Sequence, residues 1–247
     1  MSVYSCADLH GMYDLWEQIR DFLQPDDRLI FLGDAIDRGP DGYQIMCEML
    51  SDPRVTYLMG NHEYMMYHAL EEVENDMPSD NFHLWMYNGG EPTYNAWQAA
   101  GGHFGIISTL KALPYEIEYL NSSSERVYLC HAGFAPQIGV EPSYPMSEDR
   151  RYDLVWDRTH ITCPCSSSDY FVVHGHTPSP NLMSTLNRYS RTSILRQYRT
   201  KNGVVFYGND HKIDIDCGSV ITGATALLDL DTFQTISFKG EPVYHEN

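Results

Sequence analysis

The chain has 247 residues, 43% of them hydrophobic, which is enough for one α/β domain with a substantial core. Its formal net charge of −18 produces a field that repels nucleic acid, so we expect no nucleic-acid partner. No apolar run is long enough to span a membrane, and strand-like sequence begins at Val3, which leaves no room for a signal peptide. We therefore expect a cytoplasmic protein with no membrane partner.

The placement of the cysteines favours free thiols. Cys6, Cys47 and Cys130 lie inside apolar runs, as buried thiols of a reducing compartment do. Cys163-Pro164-Cys165 lies near His160 and could bind zinc. That site lacks a second pair of ligands, so zinc binding by these cysteines is disfavoured.

The first sixty residues alternate between strand-like and helix-like patterns. Apolar runs begin at Val3, Leu29 and Val55, and amphipathic segments separate them. This β-α-β-α-β order predicts three parallel neighbouring strands whose carboxyl ends meet at one edge of a sheet. Further along, residues 115–131 predict a hairpin, residues 135–154 predict a loop and residues 224–238 predict closing strands.

Each strand-like run in a set of five is followed by residues typical of a ligand site. The first three motifs are Asp8-Leu9-His10-Gly11, Gly33-Asp34-Ala35-Ile36-Asp37-Arg38-Gly39 and Gly60-Asn61-His62-Glu63. The other two are His131-Ala132-Gly133 and Gly175-His176-Thr177. Any one of them can be plain turn chemistry, but five in succession are specific. Mixed carboxylate, amide and imidazole ligands suit Mn²⁺, Fe or Zn²⁺ better than Ca²⁺.

This ordered set of motifs resembles the calcineurin-like metallophosphoesterases, and most of all their serine/threonine protein phosphatase branch with the bacterial and bacteriophage lambda enzymes. The resemblance runs from Asp8 to about Gly218. It implies two mixed β-sheets in a four-layer αββα sandwich, whereas the strand pattern alone indicates only α/β. We treat residues 1–247 as one domain, with a helical insert near 64–112 and a basic insert near 178–212.

The resemblance also implies a pair of divalent metal ions, expected to be manganese, with iron and zinc as alternatives. The implied ligands are Asp8, His10 and Asp34 for the first metal, and Asp34, Asn61, His131 and His176 for the second. Two metals bridged by Asp34 could activate a water molecule and clamp the phosphoryl oxygens of a phosphate monoester.

Four further residues receive catalytic roles by resemblance. His62 is the candidate general acid for the leaving alkoxide, and Asp37 would hold and charge it. Arg38 and Arg158 would bind the phosphate oxygens, for which the geometry of arginine is suited. A surface ion pair is the alternative for Arg158, because its sequence neighbours are acidic.

This sequence departs from the family pattern at a few positions. Ala7 and Ala132 stand where the family has glycine, and we expect activity to survive both changes. His174 lies two residues before His176, a spacing at which both histidines bind metal in the wider superfamily. Gly175 directly precedes His176, and a residue without a Cβ lets the backbone turn toward a metal, so we assign His176 as the ligand and expect a structural role for His174.

The expected activity is that of a metal-dependent protein serine/threonine phosphatase acting on phosphorylated proteins. The alternative is a small-molecule phosphohydrolase, such as a symmetrical diadenosine tetraphosphatase, because fold and metals are shared. A non-catalytic scaffold is disfavoured by the complete set of candidate residues. Residues 85–90 are predicted to form a turn between helical pieces of the insert, and Trp85 and Trp97 are expected to be core aromatics. The basic residues of 188–201 could steer phosphorylated substrates or neutralise the acidic body.

Overall fold

The computed structural model describes residues 1–133, 148–162, 170–189 and 197–244. Within them the strands are β1 (Val3–Cys6), β2 (Arg28–Phe31), β3 (Val55–Tyr57), β4 (Glu116–Leu120), β5 (Arg126–Cys130), β6 (Tyr170–His174), β7 (Arg199–Lys201), β8 (Val204–Tyr207), β9 (Lys212–Asp214), β10 (Ala224–Asp229) and β11 (Thr235–Lys239). The helices are α1 (Tyr13–Phe22), α2 (Gly42–Ser51), α3 (Asn61–Glu74), α4 (Asp80–Tyr87), α5 (Glu91–Ala99), α6 (Gly105–Lys111), α7 (Glu148–Trp156), α8 (Thr159–Thr162), α9 (Ser179–Tyr189) and α10 (Ser219–Thr222).

The strands form two mixed sheets. One has the order β11-β10-β1-β2-β3 and the other has the order β4-β5-β6-β9-β8-β7. β1, β2 and β3 are parallel neighbours, as the β-α-β-α-β pattern predicts, and β10 pairs antiparallel with β1. The predicted hairpin is the antiparallel pair β4–β5, and the predicted closing strands are β10 and β11.

Alternation along the strands builds four layers. In β2, Leu29 and Phe31 pack with the helices on the outside of the first sheet. Ile30 and the following residue, Leu32, pack between the two sheets. Neighbouring residues of β8 alternate in the same way between the intersheet core and a smaller core that includes Leu182 of α9. Because successive side chains of a strand point to opposite faces, each sheet is buried on both sides. This confirms the predicted αββα sandwich.

The segment between β3 and β4 consists of the four helices α3 to α6. α4 begins where the carboxylate of Glu72 accepts the backbone N–H groups of Asn81 and Phe82, at 3.1 and 3.0 Å. Trp85 therefore lies inside α4, and the turn that we predicted from Trp85 onward starts only at Asn88. A capping carboxylate on another helix leaves no signal in the local sequence, which explains the error. Among the described residues, no helix has the length and apolarity needed to cross a bilayer.

Part of the loop predicted over 135–154 is helical. α7 starts at Glu148, which pairs with Arg151 one turn later at 2.7 Å, and it buries Leu154 against the core. The rest of that predicted loop lies outside the described residues.

The basic segment is described only in part. Arg199 pairs with Asp210 at 3.0 Å and lies 3.7 Å from the ring centroid of Phe206, which supports internal neutralisation at this position. The predictions for Arg191, Arg196, Cys163 and Cys165 fall outside the described residues.

Candidate active site

The predicted ligand loops meet at one edge of the two sheets. Asp8 donates its backbone N–H to the carbonyl of Gly33 at 3.1 Å, which joins the loops after β1 and β2. Gly175 donates to the carbonyl of His131 at 2.8 Å, which joins the loops after β5 and β6. The backbone N–H of His176 then donates to Asp8 Oδ2 at 3.0 Å and links the two sheets. The carboxyl ends of parallel strands thus form the site, as such sheets generally do.

Six candidate residues have a left-handed backbone conformation. Their φ angles lie between 45° and 71°, a region that residues other than glycine seldom adopt. Such strain persists where the surrounding contacts over-determine it, and it concentrates at functional sites. The six are Asp8, His10, Asp34, Asp37, Arg38 and His176.

Gly175 is required because a side chain at this position would collide with its neighbours. A Cβ at this position would lie 2.2 Å from Asp8 Oδ2 and 2.8 Å from the Cβ of Ala7. The left-handed turn itself occurs one residue later, at His176, with a φ of 68°. The glycine therefore admits the Asp8 carboxylate, which differs from the backbone turn that we expected it to provide.

Asp34 occupies the middle of the site. Its Oδ2 lies 3.6 Å from His10 Nε2, 3.5 Å from His131 Nε2 and 3.9 Å from His62 Nε2. Among the described residues, two groups of side chains place candidate ligand atoms within 4.8 Å of one another, and both groups contain Asp34. They are His10, Asp34 and His62, and Asp34, His131 and His176.

The imidazoles of His10 and His131 present lone pairs to this space. His10 Nδ1 donates to the carbonyl of Ile36 at 2.9 Å, and His131 Nδ1 donates to the carbonyl of Leu32 at 2.6 Å. Because a carbonyl can only accept, the proton of each neutral ring is on Nδ1 and its Nε2 carries the lone pair that can bind a cation. Burial lowers the pKa of both histidines, which favours the neutral form that binds metal.

Asn61 lies between two of these rings. Its Oδ1 is 2.9 Å from His131 Nε2 and 2.8 Å from His176 Nδ1. His176 Nε2 is buried and has no hydrogen-bond partner among the described residues, and burial lowers the pKa of this ring. An amide oxygen and two neutral imidazoles of this kind are suitable ligands for a transition metal.

Several buried carboxylates lie close together in the same region, and a bound cation would offset their negative charge. Burial, followed by the nearby Asp216 and Asp34, raises the pKa of Asp8 well above its usual range. Asp8 lies outside both groups of candidate ligands, with its Oδ1 3.9 Å from His10 Nε2. Buried carboxylates facing neutral imidazole lone pairs fit divalent metals, because a cation would satisfy both.

His62 lies between Asp37 and Arg38. Its Nδ1 donates to Asp37 Oδ2 at 2.6 Å, and its Nε2 accepts from Arg38 Nη2 at 3.0 Å. Arg38 Nη1 also donates to His10 Nε2 at 2.7 Å. Burial lowers the pKa of His62, but the carboxylates of Asp34 and Asp37 outweigh it, and the pKa is raised. Distances alone would also permit His62 as a ligand, but its pKa is raised whereas those of His10 and His131 are lowered, which favours the protonated ring of an acid over a neutral ligand.

Arg158 lies two residues after α7 and forms no ion pair with any described residue. Partial burial lowers its pKa, and the carboxylates that oppose this effect most are Asp216, Asp34 and Asp8, so the guanidinium is within electrostatic reach of the candidate metal ligands. The structure therefore does not support the surface ion pair that we considered for Arg158.

Other residues in contact with the site were missed by sequence reasoning. The indole of Trp85, which we expected to be a core aromatic, donates to Asp37 Oδ2 at 2.8 Å. Thr93 Oγ1 accepts the backbone N–H of Asp37 at 2.9 Å. The Glu63 carboxylate accepts the backbone N–H of Asp34 at 2.8 Å. A buried indole N–H must find an acceptor, and this was the available signal for Trp85.

His174 lies away from both groups of candidate ligands. Its Nε2 accepts from the hydroxyl of Tyr207 at 2.7 Å, and its Nδ1 donates to the carbonyl of Gly175 at 3.0 Å. The ring packs edge-on against His160, with 4.5 Å between the centroids.

Curated relatives of this chain include two bacterial protein phosphatases. Serine/threonine-protein phosphatase 2 of Escherichia coli K12 is 26% identical over 197 residues, which cover 75% of this chain and 84% of that protein. Serine/threonine-protein phosphatase 1 of Salmonella typhimurium is 28% identical over 196 residues, which cover 75% of this chain and 82% of that protein.

A third relative has a different name. The symmetrical bis(5′-nucleosyl)-tetraphosphatase of Coxiella burnetii is 28% identical over 153 residues, which cover 60% of this chain but 47% of that enzyme. A solved structure named as a "putative diadenosine tetraphosphatase" shares the fold, with a TM-score of 0.60 and 19% identity over 97% of this chain and 93% of that one. The family model for calcineurin-like phosphoesterases matches residues 1–212, so the predicted resemblance is confirmed and the chain belongs to this family of phosphohydrolases.

Proposed function

We propose that this phosphohydrolase is a metal-dependent protein serine/threonine phosphatase. The supporting observation is the share of each relative's length that aligns with this chain. The two protein phosphatases align over 84% and 82% of their own length, whereas the tetraphosphatase aligns over 47%. The substrate is then a phosphorylated serine or threonine side chain, a monoester whose alkoxide leaving group needs a proton.

The site residues would hold two divalent cations. We assign Asp8, His10 and Asp34 to the first cation, and Asp34, Asn61, His131 and His176 to the second. Manganese is the expected metal, with iron and zinc as alternatives, because nitrogen and oxygen ligands are mixed. When bound, such a pair supplies an activated water and neutralises charge on the phosphoryl group.

The side chains of Arg38 and Arg158 would bind and orient the phosphate. Arg38 donates to the Nε2 atoms of His10 and His62, at 2.7 and 3.0 Å, which are acceptor atoms of the site. A bound phosphate offers stronger acceptor oxygens, so the guanidinium would transfer to it and release both imidazoles.

His62 would then act as the general acid. Asp37 accepts the Nδ1–H at 2.6 Å, so Nε2 is the atom that faces the substrate. The two carboxylates that raise the pKa of His62 favour the protonated ring before the leaving oxygen departs. Asp37 would orient the ring and stabilise its charge throughout.

A symmetrical diadenosine tetraphosphatase is the second candidate, favoured by the 28% identity to the Coxiella burnetii enzyme. It would use the same metals and arginines on a phosphoanhydride, whose leaving group needs less help from an acid.

The test is a substrate panel after removal of metal with a chelator. A phosphothreonine peptide, nitrophenyl phosphate and diadenosine tetraphosphate are each offered with and without Mn²⁺. We expect Mn²⁺ to restore hydrolysis, with the peptide giving a higher kcat/KM than the dinucleotide. A preference for the dinucleotide would overturn the assignment as a protein phosphatase, and full turnover without metal would overturn the metal-dependent mechanism.

A further inference from the structure

We propose that Trp85 is a positioning residue for the general acid, through which the helical segment α3 to α6 takes part in protonation of the leaving group. The inference rests on the proposed function, because Trp85 has this task only if His62 is the acid. It assigns a role in the reaction to a residue that the sequence pattern presents as ordinary core.

The indole of Trp85 and the ring of His62 donate to the same atom. Trp85 Nε1 lies 2.8 Å from Asp37 Oδ2, and His62 Nδ1 lies 2.6 Å from it. All three side chains are 0% exposed, so solvent does not compete for these contacts. The other carboxylate oxygen, Asp37 Oδ1, has no partner among the described residues. Trp85 thus provides one of the two side-chain hydrogen bonds that fix the carboxylate.

The residues after Trp85 are adapted to this contact. A Cβ at Gly90 would lie 2.6 Å from Trp85 Nε1, although the φ of Gly90 is an ordinary −72°, so glycine is needed there for space alone. The carbonyl of Gly89 accepts the backbone N–H of Arg38 at 2.9 Å. The segment 85–90 therefore holds Asp37 through a side chain and Arg38 through the backbone.

The expected effect follows from the rotation of the carboxylate. With the indole present, two donors hold Asp37 Oδ2, which favours the orientation of the His62 ring that directs its Nε2 into the site. Without it, His62 is the remaining side-chain donor, and the pair can rotate together. Protonation of the leaving group would become less efficient, whereas the candidate metal ligands would keep their positions.

The principal test is Trp85→Phe, which keeps an aromatic ring and removes the N–H. We expect kcat on a phosphoserine peptide to fall by about tenfold or more, tenfold being near the lower limit of what a hydrogen bond to a charged group contributes, with KM unchanged. On nitrophenyl phosphate, whose leaving group needs little protonation, we expect a loss below about threefold. Metal content measured by elemental analysis should stay at the wild-type value.

Trp97→Phe is the matched control. Trp97 is also a buried indole of the helical segment, 3% exposed, and its Nε1 donates to the carbonyl of His103 at 3.2 Å, away from the acid. This variant should leave the ratio of kcat on the phosphoserine peptide to kcat on nitrophenyl phosphate unchanged. Equal losses of Trp85→Phe on both substrates, or the same change of ratio in Trp97→Phe, would overturn the proposal.

Gly90→Ala is a second variant in case Trp85→Phe does not fold. It should displace the indole and reproduce the selective loss on the peptide. In an Asp37→Asn background, Trp85→Phe should lower the rate no further, because both changes act through one carboxylate. A further tenfold loss in that background would contradict the inference.

A measurement without substrate separates this inference from the proposed function. In zinc-loaded protein, the hydrogen-bonded Nδ1–H of His62 gives a proton NMR signal that is assigned by its loss in His62→Gln. We expect the signal to shift or broaden in Trp85→Phe and to persist in Trp97→Phe. An unchanged signal in Trp85→Phe refutes the positioning role, whereas a wild-type protein that hydrolyses no phosphoester refutes the proposed function.

Discussion

Two buried clusters of histidines lie near the end of β6, and they differ in what occupies their centre. The site cluster, His10, His62, His131 and His176, surrounds the carboxylate of Asp34. The outer cluster, His160 and His174, has Tyr207 and Lys212 beside it. Both clusters are almost completely buried.

The direction of the lone pairs separates the two. In the site cluster, backbone carbonyls fix the protons of His10 and His131 and leave two Nε2 atoms facing Asp34. In the outer cluster, His174 Nε2 is directed to the hydroxyl of Tyr207 instead of to a carboxylate, and the ammonium of Lys212 donates to the carbonyl of His160. Histidines alone therefore do not indicate a metal centre; convergent lone pairs around a shared carboxylate do.

The largest expected effect comes from the carboxylate at the centre of the site cluster. Asp34→Ala should lose bound metal and reduce turnover by more than the roughly 10²- to 10⁴-fold that loss of a general acid causes. The control is Asp214→Asn, which changes the carboxylate 3.8 Å from His174 Nδ1 and should keep both metals. Elemental analysis and kcat measure both variants. Metal retained in Asp34→Ala would refute the role of Asp34 as the bridge.

His176→Ala and His174→Ala compare the clusters two residues apart. We expect His176→Ala to remove one equivalent of metal and nearly all activity, because this ring borders Asn61. His174→Ala should keep two equivalents, because its ring is directed to Tyr207. If elemental analysis finds one metal in the His174 variant and two in the His176 variant, the assignment is reversed.

Within the site cluster, His62→Ala distinguishes an acid from a ligand. We expect both metals to stay bound and turnover on a phosphopeptide to fall by roughly two to four orders of magnitude. The loss on nitrophenyl phosphate should be smaller, because nitrophenolate needs less protonation. Loss of metal from this variant would identify His62 as a ligand, and equal losses on the two substrates would remove it from the acid role.

The smallest expected effect is a dependence of stability on pH in the outer cluster. Burial, with help from Lys212, lowers the pKa of His160 below its usual 6.5. The unfolded chain then binds the proton more readily, so this stability is present above about pH 6.5 and is lost as the pH falls below it.

We expect metal-free wild-type protein to lose roughly 1 kcal/mol more than His160→Gln between pH 7.5 and 5.5. Urea unfolding at both pH values measures the difference. Equal losses in the two proteins would show that His160 does not carry this effect.

Sequence reasoning reached much of the site because its chemistry follows the strands directly. His10 and Asn61 come a few residues after apolar runs, and the parallel order of those runs places them at one edge. The contact of Trp85 with Asp37 spans 48 residues, and that of His176 with Asp8 spans 168, so neither leaves a local pattern.

Contacts between residues distant in sequence also limit how much of the fold can be predicted. The apolar runs of β1 and β2 predict buried strands, and the structure confirms them. β7, by contrast, is Arg199–Lys201, and all of its residues are exposed, so neither apolar character nor alternation marks it. Its strand conformation depends on antiparallel pairing with β8, a partner that the sequence of β7 does not specify.

The pairing of β1 with β10 governs when the first sheet can close during synthesis. Ser5 lies opposite Leu228, so β1 leaves the ribosome long before its second neighbour exists. Until then, an apolar strand next to Asp8 and His10 has one open edge, the kind of edge that recruits other chains. Contacts so distant in sequence also form slowly. The nascent chain must therefore keep this edge protected until the residues of β10 have been translated.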